Sequence, residues 1–233
     1  MNIFNRRLSR HCLLPSCVLI TGDRGAGKST LFALIIRAAK KEGLKCYSQY
    51  PYRDCYKLPM KKKIVNGVER YDIDKQYIYS HDFSDCVILL DEVKTIWHAR
   101  DYKNWSADDE EFFNFIRKND IRLFMATQAY DSVDLNVRRA SDECWYLTKG
   151  ILHFTHVEAS KTTNAKVADR NTEVMGRMFK KGMRKIVWEC VEVPIGNYIF
   201  WRKSFYKDFF TYFTYAKKKP VIDVSWNDDD LFN

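Results

Sequence analysis

The sequence lacks a hydrophobic run long enough to cross a membrane. Its longest aromatic stretch, Tyr198 to Tyr215, is interrupted by Arg202, Lys203, Lys207 and Asp208. Charged side chains at such intervals are too costly to place in the hydrocarbon layer of a bilayer. We therefore expect the chain to have no transmembrane segment of its own.

A metal-binding or disulfide pattern of cysteines is also missing. The seven cysteines are an odd number, are widely spaced and include no C-x-x-C pair. Several fall in predicted core strands, so we expect reduced, structural cysteines without zinc. The chain has no internal repeats and no low-complexity linker. With 233 residues and 46% hydrophobic content, it is long enough to bury one substantial α/β core plus an appendage.

Acidic residues are too few to balance the basic ones, and the formal net charge is +9. Such a surplus favours a polyanionic partner. Lys61–Lys63 precede a predicted Asn66-Gly67 hairpin, whose tip and basic flank are expected to protrude. In the C-terminal third, aromatic residues alternate with further basic clusters: Lys180–Lys181, Arg184–Lys185, Arg202–Lys203 and Lys217–Lys219. This mixture suits phosphate contact and base stacking, hence DNA; ordinary core packing with solvated lysines is an equal alternative.

Residues 22–29 form the phosphate-binding motif G-x-x-x-x-G-K-[ST]. The motif lies between an apolar strand, Cys17–Thr21, and a predicted helix, Leu31–Lys40. In this context successive backbone N–H groups and the helix dipole bind phosphate oxygens. The predicted nucleotide-binding residues are Gly22, Asp23, Arg24, Gly25, Ala26, Gly27, Lys28, Ser29 and Thr30. Lys28 is expected to reach the β- and γ-phosphates, and the Ser29 hydroxyl to ligate Mg²⁺.

A second motif indicates hydrolysis of the bound nucleotide. The apolar run Cys86–Leu90 ends in Asp91-Glu92, which is the Walker B pattern. Asp91 is expected to hold Mg²⁺ through its water shell, beside Ser29. An adjacent second carboxylate can orient and polarise the attacking water, so we assign Glu92 as the general base.

The remaining strand pattern predicts how the motifs are arranged. Leu44–Tyr50 is a further strand candidate, and Ile121–Ala126 is followed by Thr127-Gln128. We predict a three-layer αβα P-loop NTPase with a mainly parallel central sheet, of the type with an additional strand and a catalytic glutamate. Gln128 is then expected to sense the γ-phosphate, with an ordinary surface glutamine as the alternative. No N-K-x-D guanine motif follows a strand, which favours ATP over GTP.

Two segments flank this layer. Ser106 begins a predicted helix with an acidic first turn, and Phe112, Phe115 and Ile116 share its apolar face. Val133–Arg139 is predicted to be an exposed polar stretch. We assign Arg138 as the arginine that a neighbouring subunit supplies to the transferring phosphoryl group. A solvated arginine and a DNA-phosphate contact are the alternatives for this residue.

We divide the chain into three parts. Residues 1–150 form the ATPase core, and residues 151–220 form a β-rich, basic C-terminal extension. The expected strands of this extension are Ile151–Val157, Arg184–Val193 and Tyr198–Tyr206, with a polar stretch from Glu158 to Glu173. Residues 221–233 form an acidic tail that suits docking on a partner.

The series of motifs resembles the zonular occludens toxin (Zot) family, the assembly ATPases of filamentous phages within the FtsK–HerA motor superfamily. Besides the phosphate motif, the resemblance depends on Leu90–Glu92, Trp97–Arg100, Phe115–Ile121, Thr127-Gln128, Val133-Asp134, Arg138 and Trp145–Leu147. It implies an oligomeric ATPase in the host cytoplasm that drives phage or mobile-element DNA through a portal. Without a membrane span, the chain would reach a membrane or capsid through a separate portal or assembly protein.

The motifs leave a second class of function open. A nucleotide-gated scaffold or regulator would use the same hydrolysis to reset a contact with a protein or a membrane, without moving DNA. A small-molecule kinase is less compatible with the sequence, because no arginine-rich lid is recognisable and Glu92 would have no explanation.

Overall fold

Six parallel strands form the centre of the fold. The computed structural model describes residues 3–65, 68–100, 105–168, 186–209 and 225. The parallel strands are β1 (Cys17–Gly22), β2 (Lys45–Ser48), β3 (Tyr56–Lys57), β6 (Cys86–Leu90), β7 (Arg122–Thr127) and β8 (Glu143–Lys149). Two antiparallel strands, β9 (Phe154–Ala168) and β10 (Ile186–Trp201), extend the sheet beyond β8 in the order β10-β9-β8-β1-β7-β6-β2-β3. A separate hairpin pairs β4 (Met60–Val65) with β5 (Val68–Ile73).

Helices cover both faces of this sheet. They are α1 (Ile3–His11), α2 (Lys28–Lys41), α3 (Lys75–Ser80), α4 (Ala107–Lys118) and α5 (Leu135–Ala140). Alternate residues of β1 enter two different cores: Val18 and Ile20 pack with α1 and α2, whereas Cys17 and Leu19 pack with α3, α4 and α5. A strand that is buried on both faces must be apolar throughout, which explains its composition. The predicted three-layer αβα architecture is confirmed.

The strand order places all of the predicted motifs at one edge. β7 lies between β1 and β6, pairing with β1 through Leu19 and Met125 and with β6 through Leu90 and Met125. This is the additional strand of the predicted fold type. Because the three strands are parallel, the segments that follow their carboxyl ends lie next to each other.

The C-terminal strands differ from their predicted boundaries. Ile151 and Leu152 form a turn, with Leu152 at a φ of 56°, and β9 starts at Phe154. The stretch predicted as polar from Glu158 continues β9, since Val157 and Ala159 face the core in alternation with polar residues. The two later predicted strands are one strand, β10, with an irregularity between Pro194 and Gly196. A 3-10 turn follows at Arg202–Phe205.

Three helices, α1, α3 and α5, were not predicted from the sequence. Among the described side chains, the apolar residues that hold α1 to the core are Leu8 and, just after the helix, Cys12. Two such positions give no clear periodic pattern. The prediction that Val133–Arg139 is an exposed polar stretch is wrong. Val133 and Val137 are buried, and α5 occupies most of the stretch. Among the helices of the described residues, none has the length and apolar character needed to cross a membrane.

Several predicted features lie outside the described residues. They are the Asn66-Gly67 tip of the β4–β5 hairpin, the basic clusters at 180–181, 184–185 and 217–219, and most of the acidic tail at 221–233. The division of the chain at residue 150 stays a prediction. In the described part, β9 is hydrogen-bonded to β8 over seven residue pairs and therefore belongs to the same sheet.

A buried carboxylate joins the second helical layer to the segment after β6. Asp109 is only 1% exposed. It accepts hydrogen bonds from Trp97 Nε1 at 2.6 Å, from Lys75 Nζ at 3.0 Å and from the Tyr79 hydroxyl. Ser106 completes the predicted capping box with this residue. Burial alone would raise the pKa of Asp109, but these donors outweigh it and hold the pKa at about 2.

Replacing Asp109 is therefore expected to destabilise the fold. Asp109→Ala leaves the buried donors of Trp97 and Tyr79 unpaired and should lower the free energy of unfolding by about 3 kcal/mol. Because the folded pKa is depressed, the carboxylate stabilises the protein above about pH 4, and about 2 kcal/mol is lost as the pH falls through 2. Urea unfolding at pH 7 and pH 3 tests both effects. The control is Asp108→Ala at an exposed position; equal losses for the two variants would contradict this role.

Candidate active site

The phosphate loop has the backbone that its motif demands. Gly25 and Gly27 adopt φ angles of 81° and 109°, which L-residues with side chains rarely adopt. Gly27 is also the N-cap of α2. A Cβ atom at this position would lie 2.8 Å from Thr155 Oγ1, so no other residue fits. The first N–H groups of α2 are thereby directed at the concavity of the loop.

Lys28 arches back over this concavity. Its Nζ donates hydrogen bonds to the carbonyl oxygens of Gly22 at 2.6 Å and Asp23 at 3.1 Å. Partial burial lowers the pKa of Lys28, while the nearby carboxylates of Asp91 and Glu92 act in the opposite direction. The ammonium group therefore lies between the loop and the end of β6, where anionic phosphates would add further favourable interactions.

The end of β6 brings two carboxylates to the same place. The Gln49 side chain holds the Asp91 backbone in both directions: Nε2 donates to the Asp91 carbonyl at 2.8 Å, and Oε1 accepts from the Asp91 N–H at 3.1 Å. Burial raises the pKa of Asp91 to about 6. Glu92 follows in the left-handed region with a φ of 50°. Such a conformation costs energy for a residue with a side chain, so the surrounding contacts must hold it in place.

Glu92 and Gln128 are in direct contact. Gln128 follows β7, and its Nε2 donates a hydrogen bond to Glu92 Oε1. The other carboxylate oxygen of Glu92 lies 3.3 Å from Lys94 Nζ. The structure thus brings together Lys28, Asp91, Glu92 and Gln128 at adjacent strand ends, as their sequence positions predict.

Ser29 and Asp91 offer the oxygen ligands that a magnesium ion prefers. The hydroxyl of Tyr52, which is buried, lies near the Ser29 side chain and Asp91. Burial raises the pKa of Tyr52 well above its ordinary value, so the phenol stays neutral. A carboxylate with a raised pKa beside two hydroxyl groups favours a cation. The donor set therefore fits Mg²⁺, which commonly takes one or two protein ligands and completes its shell with phosphates and water.

Arg138 is not part of this group. Its guanidinium lies 4.9 Å from the ring centroid of Tyr130 and 3.6 Å from Asp131. Its side chain is only 20% exposed, whereas the next residue, Arg139, is exposed. Among the described atoms, Arg138 Nε is buried without a hydrogen-bond partner.

The outer side of the phosphate loop is held by the C-terminal strands. Arg202 is 7% exposed, and its Nη1 donates to the Gly25 carbonyl at 3.0 Å while its Nη2 donates to the Leu152 carbonyl at 3.2 Å. Thr155 Oγ1 donates to the Ala26 carbonyl at 2.7 Å. Within the described part of the chain, no carboxylate lies within ion-pair distance of Arg202. Its positive charge therefore adds to the electrostatic potential of the phosphate site and favours a bound anion.

This arrangement corrects one prediction and supplies four residues that sequence reasoning missed. Arg202 was counted among the basic residues available for DNA, but β10 ends behind the phosphate loop and buries it. Gln49, Tyr52, Thr155 and Arg202 form their contacts across long stretches of sequence and belong to no recognisable motif. Only the polar Gln49 directly after β2 offered a local signal, because polar residues at the carboxyl ends of parallel strands commonly line a site.

Comparison with known proteins shows the family and the fold. Residues 16–180 match the family described as zonular occludens toxin (Zot). The crystal structure of the N-terminal domain of zonular occludens toxin from Neisseria meningitidis is similar with a TM-score of 0.52 and 14% identity, covering 83% of this chain and 97% of that chain. A genome packaging NTPase from Sulfolobus turreted icosahedral virus 2, in complex with ATP-gammaS, has a TM-score of 0.41 and 15% identity, covering 57% and 74%. Among curated proteins there is no significant match.

Removing the support behind the phosphate loop should weaken nucleotide binding. Arg202→Ala is expected to raise the Kd of a fluorescent ATP analogue about tenfold or more, because charge-assisted hydrogen bonds to two carbonyls are removed. Thr155→Val, which keeps the shape of the side chain, should give a smaller increase. Lys203→Ala is the control, since Lys203 is exposed. Unchanged affinity in a folded Arg202→Ala protein would contradict this function of Arg202.

Proposed function

The chain belongs to the zonular occludens toxin (Zot) family, and from this premise we propose that it is an ATP-hydrolysing motor that moves viral or mobile-element DNA. The observation that carries the proposal is the convergence of Lys28, Asp91, Glu92 and Gln128 beside the phosphate loop. A protein that only binds nucleotide has no need of a second carboxylate at the γ-phosphate end of the site. A hydrolase needs one there, because a base must accept a proton from the attacking water.

In the proposed mechanism, the phosphates lie in the loop between residues 22 and 30. Lys28 exchanges its hydrogen bonds to the Gly22 and Asp23 carbonyls for the β- and γ-phosphate oxygens. Ser29 and Asp91 would hold Mg²⁺, which supplies neutralisation of phosphate charge when bound with ATP. Arg202 adds a fixed positive charge behind the loop and keeps its carbonyl groups turned away from the phosphates.

Glu92 performs the proton chemistry. Its carboxylate accepts a proton from the attacking water as the new bond to the γ-phosphorus forms and the bond to the β–γ bridging oxygen breaks. ADP leaves with that oxygen, and the proton passes from Glu92 to the released phosphate or to solvent. The left-handed backbone of Glu92 and the N–H hydrogen bond to Asp91 Oδ1, at 2.9 Å, fix the carboxylate relative to the metal ligand. Gln128, whose amide donates to Glu92, is placed to transfer this hydrogen bond to the γ-phosphate and so report its presence.

This assignment predicts a separation of binding from turnover. Glu92→Gln should retain ATP binding and lower turnover by about 10²–10⁴-fold, since an amide cannot accept the proton. Lys28→Ala should weaken binding and abolish turnover. Steady-state phosphate release and titration with a fluorescent ATP analogue measure the two properties. Glu111→Gln, at an exposed position on α4, is the matched control; unmutated turnover in Glu92→Gln would exclude Glu92 as the base.

DNA is the polyanion that the family membership and the charge of +9 support best. A motor should show turnover that rises when DNA is added and that loses this rise with increasing salt, because phosphate contacts release counterions. Turnover that is indifferent to single- and double-stranded DNA would instead support the nucleotide-gated scaffold. The protein would act in the cytoplasm of a host cell and reach its membrane or capsid through a portal or assembly protein.

Exposed apolar residues next to the phosphate loop support the formation of an oligomer. Ile151 and Leu152, in the β8–β9 turn, are 84% and 74% exposed. The carbonyl of Leu152 shares the Arg202 guanidinium with the phosphate loop. A neighbouring subunit that covers this turn would therefore approach the nucleotide site. Arg138, whose buried Nε has no hydrogen-bond partner among the described atoms, is our candidate for the arginine supplied to the next subunit.

A mixing experiment tests the assignment of Arg138. Arg138→Ala should lower turnover by about 10³-fold or more without changing ATP affinity, because this arginine acts only as charge develops on the phosphoryl group. Mixing Arg138→Ala with Lys28→Ala subunits should restore part of the activity, since one type of interface then has an intact site and an intact arginine. Arg139→Ala is the control. No recovery on mixing, with both variants assembled, would show that Arg138 does not act across the interface.

A further inference from the structure

The edge of the sheet opposite the nucleotide site carries a second concentration of positive charge. α1 turns Leu8 and Cys12 into the core and exposes Arg6, Arg7 and Arg10. Leu13 and Leu14 then lead to the start of β1. Because β1, β2 and β7 begin at this edge and the phosphate loop, Asp91 and Gln128 lie at the other, this surface is separate from the site described above.

Two adjoining concavities follow α1, and we refer to them together as the α1 groove. The larger, of about 640 Å³, lies between α1 and the end of α2, and its basic lining is Arg6, Arg10, Lys41 and Arg122, with Glu42 as the acidic member. The smaller, of about 470 Å³, is lined by Arg6, Arg7, Arg10, His11, Leu14 and Tyr198. Arg6 and Arg10 line both concavities, so the positive charge is continuous along the groove.

Among the described residues, the arginines of the α1 groove have no ion-pair partner, although Glu42 lines the larger concavity and Glu143 pairs with His11. Other basic residues nearby are paired: Arg37 with Asp208 and Lys40 with Asp54. In contrast, the ion pairs found among the described residues include none of Arg6, Arg7, Arg10 and Lys41. Exposed arginines on one helix face, without acidic partners, raise the local electrostatic potential and attract an anion.

We propose that the α1 groove binds a single strand of nucleic acid. Arg6 and Arg10 are four residues apart on a helix, where Cβ atoms are about 5–6 Å from each other, so their guanidinium groups can contact successive phosphates of one strand. The smaller concavity adds Leu14 and Tyr198, whose ring stacks on His11 at a centroid distance of 5.1 Å and has the Arg7 guanidinium over it at 5.6 Å. A base would therefore compete with Arg7 for the ring, while Arg7 is also free to contact a phosphate.

The shape of the surface argues against the two other polyanions. A membrane would need several projecting apolar residues, but among the apolar side chains described from residue 5 to residue 14 only Leu14 is strongly exposed, at 75%, while Leu8 and Cys12 are fully buried. Residues 5–12 therefore cannot insert an apolar side into lipid without leaving the core. A DNA duplex is convex and stiff, so it fits poorly into a concave surface that is lined from two sides by α1 and the end of α2.

The inference rests on the proposed function in its choice of nucleic acid as the ligand. Fluorescence anisotropy of a labelled oligothymidylate, measured against salt concentration, tests it directly. Arg6→Ala/Arg10→Ala should weaken binding at low salt and reduce the slope of log K against log salt by about 1.4, which is about 0.7 for each phosphate that an arginine no longer neutralises. Lys118→Ala/Lys149→Ala removes the same charge at exposed positions and should leave the slope unchanged. Thermal unfolding verifies that both variants are folded.

The outcomes separate this inference from the proposed function. Equal slopes for the two double variants, with DNA-stimulated turnover intact in both, would contradict nucleic-acid binding by the α1 groove. The proposed motor function would be unaffected. Equal or tighter binding of a duplex of the same length would overturn the preference for a single strand. Absence of oligothymidylate binding, together with Arg6- and Arg10-dependent sedimentation on phosphatidylserine vesicles, would overturn the inference in favour of a lipid surface. A selective decrease of the slope in Arg6→Ala/Arg10→Ala supports it.

Discussion

The geometry of the phosphate loop requires that its carbonyl groups be satisfied on the side away from the ligand. A loop that turns successive N–H groups inward turns carbonyl groups outward, and buried carbonyls need donors. Arg202 and Thr155 supply these donors to Gly25 and Ala26. Since both residues lie where β9 and β10 meet, the C-terminal strands are part of the nucleotide site as well as of the sheet. The C-terminal strands that follow β8 thus stabilise a phosphate loop that lies near the N-terminal end of the described chain.

The segment after β6 is held from two sides in a comparable way. Gln49 fixes the Asp91 backbone through two hydrogen bonds, and Trp97, five residues after Glu92, is fixed by Asp109. Asp109 also holds Lys75 and Tyr79 of α3, which follows the β4–β5 hairpin. The strained conformation of Glu92 is therefore maintained by rigid attachments before and after it, as strain at a functional residue requires. The same attachments connect the hairpin mechanically with the segment that carries Glu92.

The sequence predicted those parts of the site that depend on local patterns. The phosphate loop, the run Cys86–Leu90 before Asp91, and the strand before Gln128 each combine a short motif with an apolar strand, so position in the chain was enough. Gln49, Tyr52, Thr155 and Arg202 required knowledge of which distant segments meet. Arg202 even carried a misleading local signal, because a basic pair among aromatics has the composition of a nucleic-acid surface. Asp109 was hidden for a similar reason: one buried carboxylate within an acidic helical turn looks like its exposed neighbours.

The elements that bear the residues proposed for catalysis also reach the α1 groove. α2 begins at Lys28 in the phosphate loop and ends at Lys41 in the groove, a distance of about 21 Å along a helix of this length. β7 begins at Arg122 in the groove and is followed by Gln128, which contacts Glu92. α2 is packed against the sheet and β7 is a central strand of it, so both are buried over most of their length. Tightly packed interiors transmit displacement with little compression. A shift of α2 or β7 on release of the γ-phosphate would thus move basic side chains at the opposite edge. A motor that grips a strand at one edge and hydrolyses ATP at the other needs rigid elements of this kind, and it needs no flexible linkage between the two sites.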